Sequence, residues 1–283
     1  MRSVLLSIGF FISLTLCLSQ SRIQNSIFLD TLKSETIENR IQPPAGFQRI
    51  SVEPNSFAAW LRKLPLLPAN SPVKDYKNRI FKKSADSTVA AVVAYDIRGK
   101  KLDQCMDILL RFYSQYFIEN GKSNDIRFPM PDGLILRWGD WAAGNRPYFK
   151  GLHFYLKKTA RPDSSFHNFQ SYLNTLFEYS GTQAFYHYYK SIPLSDLEIG
   201  DFIVKKGDKS HAVMIVDLAQ NADSQLIALF GQGDTPACQF YLLKQPDGNP
   251  WFPIDPADAA PALPIKKIMY WDGLRRFGEK PKN

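Results

Sequence analysis

The sequence has few residues of the kinds that bind metals or nucleotides. Its 283 residues include three cysteines and four histidines, and no two of these have the CxxC or HxxxH spacing that is typical of zinc sites. Glycine-rich phosphate loops and the GxSxG turn of serine hydrolases are also missing. The sequence therefore disfavours a metalloenzyme or a nucleotide-dependent enzyme, and we expect no cofactor.

Long apolar runs and long basic runs are missing as well. After the first 20 residues no apolar stretch approaches the roughly 18 residues of a membrane-spanning helix, so we expect no stable membrane insertion. The net charge is +8, but the basic residues occur in scattered pairs, which do not form a phosphate-binding arm. Nucleic acid is therefore not an expected partner. With 45% hydrophobic and 22% charged residues, the composition is that of a globular protein.

The N-terminus has the pattern of a secretory signal. Arg2 precedes an apolar run from Val4 to Leu18, and small residues follow. An uncleaved anchor is the alternative, although the run is short for one. We expect a signal peptide over residues 1–20, export to the periplasm or out of the cell, a flexible segment over 21–40, and a single α+β domain over 41–283.

The order of predicted elements indicates an α+β fold. Ser56 is a candidate N-cap for a short helix, and the apolar strands in the last third of the chain are separated by turn residues that favour an antiparallel meander. Helices followed by strands are typical of the α+β class. Further helices are predicted at 102–118, 163–179 and 182–189, and strands at 88–97, 134–136, 202–204, 212–216 and 226–230.

Cys105 is the first candidate for chemistry. It lies in the opening turn of a predicted helix, where unpaired N–H groups and the helix dipole favour a thiolate and lower the pKa of the thiol. Two alternatives stay open. Cys105 also falls on the apolar face of its helix, where a cysteine usually packs, and in an oxidising compartment it could pair with Cys238.

His211 and Gln232 are the second candidate. His211 opens an apolar strand after the Gly200-Asp201 turn, and Gln232 follows Leu229-Phe230-Gly231 of the next predicted strand, where its amide can orient the imidazole. A cysteine at a helix start, a histidine on a later strand and an amide beyond it is the arrangement of thiol hydrolases. The alternative for His211 is an ordinary strand residue, either hydrogen-bonded or exposed.

The aromatic segment 138–149 is a candidate binding region. Trp138, Trp141 and Arg146 could line a groove for a sugar or a peptide, because indole faces stack on apolar ligand surfaces. The alternative is that this segment is packed core and loop. A groove here would fit a non-catalytic envelope protein that binds glycan or peptide, which is the rival to an enzyme.

Several of these stretches together resemble one known family. The chain resembles an uncharacterised family of exported bacterial proteins, domain of unknown function 4846. That resemblance implies secretion and one domain, and it names no reaction. The matching stretches include Pro44-Ala45-Gly46-Phe47, Trp60-Leu61-Arg62, Asp103-Gln104-Cys105, Phe177 to Thr182, and Gly200-Asp201 with His211-Ala212-Val213.

The Gly-Asp and His-Ala-Val stretches are also similar to the C-terminal half of the papain-like NlpC/P60 and CHAP cell-wall hydrolases. This second resemblance implies helices packed on a small antiparallel sheet and a cysteine amidase or peptidase acting on cell-envelope peptides. Carried over, Cys105 is the nucleophile, His211 the base and Gln232 the orienting group. The leading hypothesis adds the N–H of Cys105 and the Gln104 side chain as groups that hold the oxyanion. Two departures are Ser210 in place of glycine before the histidine, and the acidic residues Asp103 and Asp107, which oppose a thiolate unless they point to solvent.

Overall fold

The computed structural model describes residues 27–29, 35–97, 101–151 and 153–278. Over those residues the chain forms six α-helices and fourteen β-strands. The helices are α1 (Ile37–Arg40), α2 (Phe57–Arg62), α3 (Cys105–Glu119), α4 (Trp138–Ala142), α5 (Phe166–Tyr179) and α6 (Thr182–Tyr188). The strands are β1 (Phe47–Arg49), β2 (Val73–Lys74), β3 (Ile80–Lys82), β4 (Val89–Val92), β5 (Arg127–Pro129), β6 (Ile135–Arg137), β7 (Asn145–Lys150), β8 (His153–Lys158), β9 (Phe202–Lys205), β10 (His211–Asn221), β11 (Leu226–Gln232), β12 (Tyr241–Leu243), β13 (Trp251–Ile254) and β14 (Leu274–Arg275).

Local sequence explains where the first helices begin. Ser56 caps α2 as predicted, since its side-chain oxygen accepts the N–H of Ala59 at 3.1 Å. Helix α3 begins at Cys105, where a carboxylate oxygen of Asp107 accepts the N–H of Gln104 at 3.0 Å. This contact is the return half of a capping box, and it fixes the start of α3 three residues after the predicted one.

One eight-stranded antiparallel sheet forms the centre of the fold. Its strands follow the order β14-β9-β10-β11-β12-β4, while β1 pairs with the far end of β10 and β13 with the first half of β11. The predicted antiparallel meander is confirmed in β9, β10 and β11, and the mixed α+β class is confirmed. The sheet is larger than the small one expected, because strands as short as β14 are too brief to show a hydrophobic period.

Strand β10 is the central element of this sheet. All its residues from His211 to Ala219 are buried, and helices α2 and α3 lie against it. Burial on both faces explains why the sequence shows a continuous apolar run here rather than an alternating one. The strand therefore gives the candidate histidine a fixed backbone.

A buried carboxylate joins three of these elements. Asp217 of β10 accepts hydrogen bonds from the Nε atoms of Arg49 on β1 at 2.6 Å and Arg62 on α2 at 2.7 Å. The Asp217 side chain is fully buried. Two guanidinium groups on one desolvated carboxylate hold β1 and α2 against the sheet.

The N-terminal predictions lie mostly outside the described residues. The expected signal peptide, residues 1–20, is wholly outside them. Within the segment expected to be flexible, Ile27 and Ile37 are buried in the core. In the part of the chain that the structure describes, no helix combines the length and the apolar character needed to cross a bilayer.

Candidate functional site

The start of α3 and the start of β10 meet at one point of the fold. The backbone N–H of Ala212, the neighbour of His211, lies near enough to the Cys105 sulfur to lower the pKa of that thiol. The chain after β11 also passes close to the start of α3. A Cβ placed on Gly233 would lie 2.5 Å from Cδ1 of Ile108 and 3.6 Å from the Cα of Cys105. Glycine at position 233 therefore lets the end of β11 pass beside the thiol-bearing turn.

His211 is held by the amide of Gln232, as the sequence predicts. The Nε2 atom of His211 lies 2.6 Å from Oε1 of Gln232, and Nε2 of Gln232 donates to the hydroxyl of Tyr241 at 2.5 Å. The amide oxygen accepts, so the imidazole proton is on Nε2 and the lone pair of the neutral ring is on Nδ1. The pair thus sets both the tautomer and the orientation of the ring.

The second ring nitrogen of His211 is a buried acceptor that is not in use. Among the described residues, no group forms a hydrogen bond with Nδ1, although the residue is only 1% exposed. Burial lowers the pKa of His211, and the Gln232 hydrogen bond offsets part of that effect. His211 is therefore a neutral base at pH 7 with a free lone pair.

The thiol of Cys105 is protonated in this environment. Burial, with the negative charge of Asp107 second, raises the pKa of Cys105 to about 11. The Ala212 N–H and the charge of Lys267 act in the opposite direction without reversing it. The expectation that the helix start lowers this pKa is wrong, because Cys105 is only 6% exposed and desolvation outweighs the helix dipole.

The acidic residues beside Cys105 do not point to solvent. Asp103 is buried, and it accepts a hydrogen bond from Nη2 of the equally buried Arg111 at 2.8 Å. Asp107 is buried as well, and burial raises the pKa of its carboxyl well above the usual range. The condition under which they would not oppose a thiolate is therefore not met by exposure to solvent; one is neutralised by an ion pair and the other caps the helix.

A cleft of about 480 Å³ opens onto His211, Gln232 and Tyr241. Gln104 reaches its rim, where its Oε1 accepts the hydroxyl of Thr235 at 2.9 Å. The Gln104 side chain is therefore engaged with the loop after β11. Charged residues complete the lining, namely Lys82, Asp234, Lys266 and Lys267.

The structure has no disulfide between Cys105 and Cys238, which was the alternative for these two residues. Cys105 and Cys238 are both free thiols, and both are buried. Burial raises the pKa of Cys238, and the negative charges of Asp234 and of an ionised Cys105 raise it further. Cys238 is fully buried in the hydrophobic core, so its environment is that of a packing residue.

The predicted groove over residues 138–149 does not form around its tryptophans. Trp138 and Trp141 are both buried; the Trp141 indole donates to Asn168 at 2.9 Å, and both rings pack on Tyr172. Arg146 lies over the Trp141 ring at 4.1 Å. These contacts are packing between α4, β7 and α5, which is the alternative that the sequence leaves open for this segment.

Three residues of the site were not predicted from the sequence. Tyr241 fixes the amide of Gln232, while Asp234 and Lys267 line the cleft and interact with His211. Lys267 lies in a stretch without helix or strand, so no periodicity indicates it. The sequence gives no indication that Tyr241 belongs to the site, because it shows only that this residue lies on an apolar strand.

The comparisons with known proteins give one result. The model of the family described as "Domain of unknown function (4846)" matches residues 37–265, a range that holds Cys105, His211 and Gln232. No curated protein and no solved structure matches the chain significantly, so the weaker likeness to the NlpC/P60 and CHAP hydrolases gains no support. Because the match covers most of the sequence, the chain belongs to the family of domain of unknown function 4846.

Proposed function

We propose that the protein is an exported thiol hydrolase with a papain-like architecture, an amidase or peptidase that acts on cell-envelope peptides. One observation carries the proposal. His211 has Nε2 fixed by Gln232 at 2.6 Å, and its Nδ1 is buried and without a hydrogen-bond partner among the described residues. Packing alone does not explain this arrangement, because an unused buried acceptor costs free energy that a pairing partner would recover.

The position of the Cys105 thiol supports a role for the Nδ1 lone pair of His211 as a general base. Cys105 is the first residue of α3, and its sulfur lies near the N–H of Ala212, which adjoins His211. In the proposed mechanism the protonated thiol and the neutral imidazole together form the starting state of general-base catalysis. Nδ1 takes the thiol proton as the sulfur attacks, so no resting thiolate is required.

The proposed reaction proceeds in two halves. The Cys105 sulfur bonds to the substrate carbonyl carbon, and its proton passes to Nδ1 of His211. When the tetrahedral intermediate collapses, the C–N bond breaks and the imidazolium returns the proton to the leaving amine. Water then attacks the thioester, gives a proton to Nδ1, and releases the acid as the thiol is restored.

The oxyanion is bound at the N-terminus of α3 in this proposal. The N–H of Cys105 is the first of the helix, where no helical carbonyl can accept it, and the positive end of the helix dipole favours developing negative charge. Gln104 contributes through position, since its contact with Thr235 at 2.9 Å ties the helix start to the loop after β11.

Loss of one thiol at a time tests the proposal. We expect the purified chain to cleave peptides in a mixture of soluble peptidoglycan fragments, read by mass spectrometry. Cys105→Ala should lower the rate by at least about 10³-fold, as removal of a nucleophile does. The matched variant Cys238→Ala, which also loses a buried thiol, should keep activity. Absence of cleavage by the unaltered protein, or equal rates for Cys105→Ala, contradicts the proposal.

A non-catalytic role is the second candidate, and one exposed surface favours it. The β7–β8 hairpin presents Tyr148 at 47% and Phe149 at 58% exposure, and the Lys157 ammonium lies 3.9 Å from the centre of the Tyr148 ring. Such a surface suits retention on a glycan or peptide. In that case Tyr148→Ala weakens retention on peptidoglycan, whereas Cys105→Ala leaves it unchanged.

A further inference from the structure

The cleft beside His211 has an excess of positive charge. Lys82, Lys266 and Lys267 line it together with a single acidic residue, Asp234. Lys82 is already engaged, since its Nζ donates a hydrogen bond to the Thr88 hydroxyl at 3.1 Å. The remaining positive charge of the cleft lining is therefore carried by Lys266 and Lys267.

Lys267 is the cation placed to act on the chemistry. It shares the cleft with His211, and its charge acts on both catalytic groups, favouring the Cys105 thiolate and the neutral His211 imidazole. Its ammonium lies 3.9 Å from Oδ1 of Asp234, and about a quarter of each side chain is exposed. A partly exposed pair at that distance is weak, so Asp234 does not satisfy Lys267 and an entering anion can compete for it.

We infer that the cleft selects substrates with a carboxylate next to the scissile bond, and that Lys267 binds that carboxylate. This inference rests on the proposed function and deepens it by naming the substrate class: acidic peptides. Lys267 is a specificity residue in this account, and Asp234 opposes it by holding the ammonium when no substrate is bound.

Alkylation of Cys105 with a charged and a neutral reagent tests this directly. Iodoacetate and iodoacetamide differ in one carboxylate, and peptide mapping by mass spectrometry separates modification of Cys105 from that of Cys238. The observable is the rate ratio of iodoacetate to iodoacetamide at Cys105, divided by the same ratio for N-acetylcysteine. We expect a normalised ratio above one for the unaltered chain.

Three variants fix the interpretation. Lys267→Gln should lower the ratio by about 3- to 10-fold, as loss of one cation from the cleft lining implies, and Asp234→Asn should raise it. Lys267→Arg should keep it. The matched control is Lys122→Gln, an exposed lysine beyond the far end of α3, about 22 Å along the helix from Cys105, and it should leave the ratio unchanged.

The outcomes separate this inference from the proposed function. If both reagents modify Cys105 and Lys267→Gln leaves the ratio unchanged, the inference is overturned and the thiol hydrolase stands. If neither reagent modifies Cys105 in the folded protein, the thiol is out of reach of any substrate, and both proposals are overturned.

Discussion

At the scale of single residues, the candidate site is defined by which side-chain atoms form hydrogen bonds and which do not. Gln232 and Tyr241 use the Nε2 side of the His211 ring, and Nδ1 is left with no hydrogen bond among the described residues. The order of a cysteine, a histidine and an amide in the sequence predicts this set. The pKa of Cys105 could not be predicted the same way, because it depends on how deeply the folded chain buries the sulfur and on the nearby Asp107.

Gln232 is a positioning residue, and its replacement gives a prediction at this scale. Gln232→Leu removes the acceptor at Nε2, so the ring loses its fixed tautomer and kcat should fall about tenfold or more, with a smaller change in KM. The Gln232 hydrogen bond raises the pKa of His211, so this variant should lower that pKa further in an NMR titration.

The conservative variant is the control for this prediction. Gln232→Glu keeps an acceptor oxygen and adds a negative charge, so the pKa of His211 should rise instead. A purely structural role of Gln232 predicts the same His211 pKa in both variants, and that result would contradict the assignment.

At the scale of elements, the helices and the meander follow from sequence and the site's surroundings do not. The hydrophobic period places α3, α5 and α6 within a few residues, and Ser56 marks the start of α2. The sequence of the aromatic segment 138–149 fits both a ligand groove and a packed core, because tryptophans stack on ligands and also pack in protein interiors. Only the position of α5, with Tyr172 against both indoles, decides between these uses.

The arginine pair on Asp217 gives a prediction about how the elements are held. Asp217→Asn removes the only negative charge in contact with Arg49 and Arg62 among the described residues. Uncompensated buried guanidinium charge should lower the free energy of unfolding by about 2–4 kcal/mol, measured by urea denaturation.

Glu35 provides the matched comparison. It pairs with Arg40 where its side chain is 45% exposed, so Glu35→Gln should change the free energy of unfolding by less than about 1 kcal/mol. Equal effects of the two variants would show that the Asp217 cluster does not anchor β1 and α2.

At the scale of the whole molecule, the buried histidine links stability to pH. Burial lowers the pKa of His211 below its ordinary value of 6.5, so the unfolded chain binds a proton that the folded chain does not. The stability from this residue is therefore complete above pH 6.5 and is lost as the pH falls from there toward the lowered pKa.

A difference measurement isolates this effect from the other groups. The free energy of unfolding of the unaltered chain minus that of His211→Gln should fall between pH 6.5 and 5, with a slope of at most about 1.4 kcal/mol per pH unit, the limit for one proton. The comparison is necessary because burial raises the pKa of Asp107, and this group acts in the opposite direction. A difference that does not change with pH would mean that His211 titrates normally and is not buried.

The proposed mechanism requires Cys105 and His211 to act as one catalytic pair, and trapping the acylated protein tests this pairing most directly. The protein is mixed with a p-nitrophenyl ester, quenched in acid within the first turnover, and mapped by mass spectrometry. We predict a hydroxylamine-sensitive acyl group on Cys105, absent in Cys105→Ala and formed far more slowly in His211→Gln. Acylation of Cys238 in place of Cys105, or equal acylation of Cys105 in the His211 variant, would contradict the account.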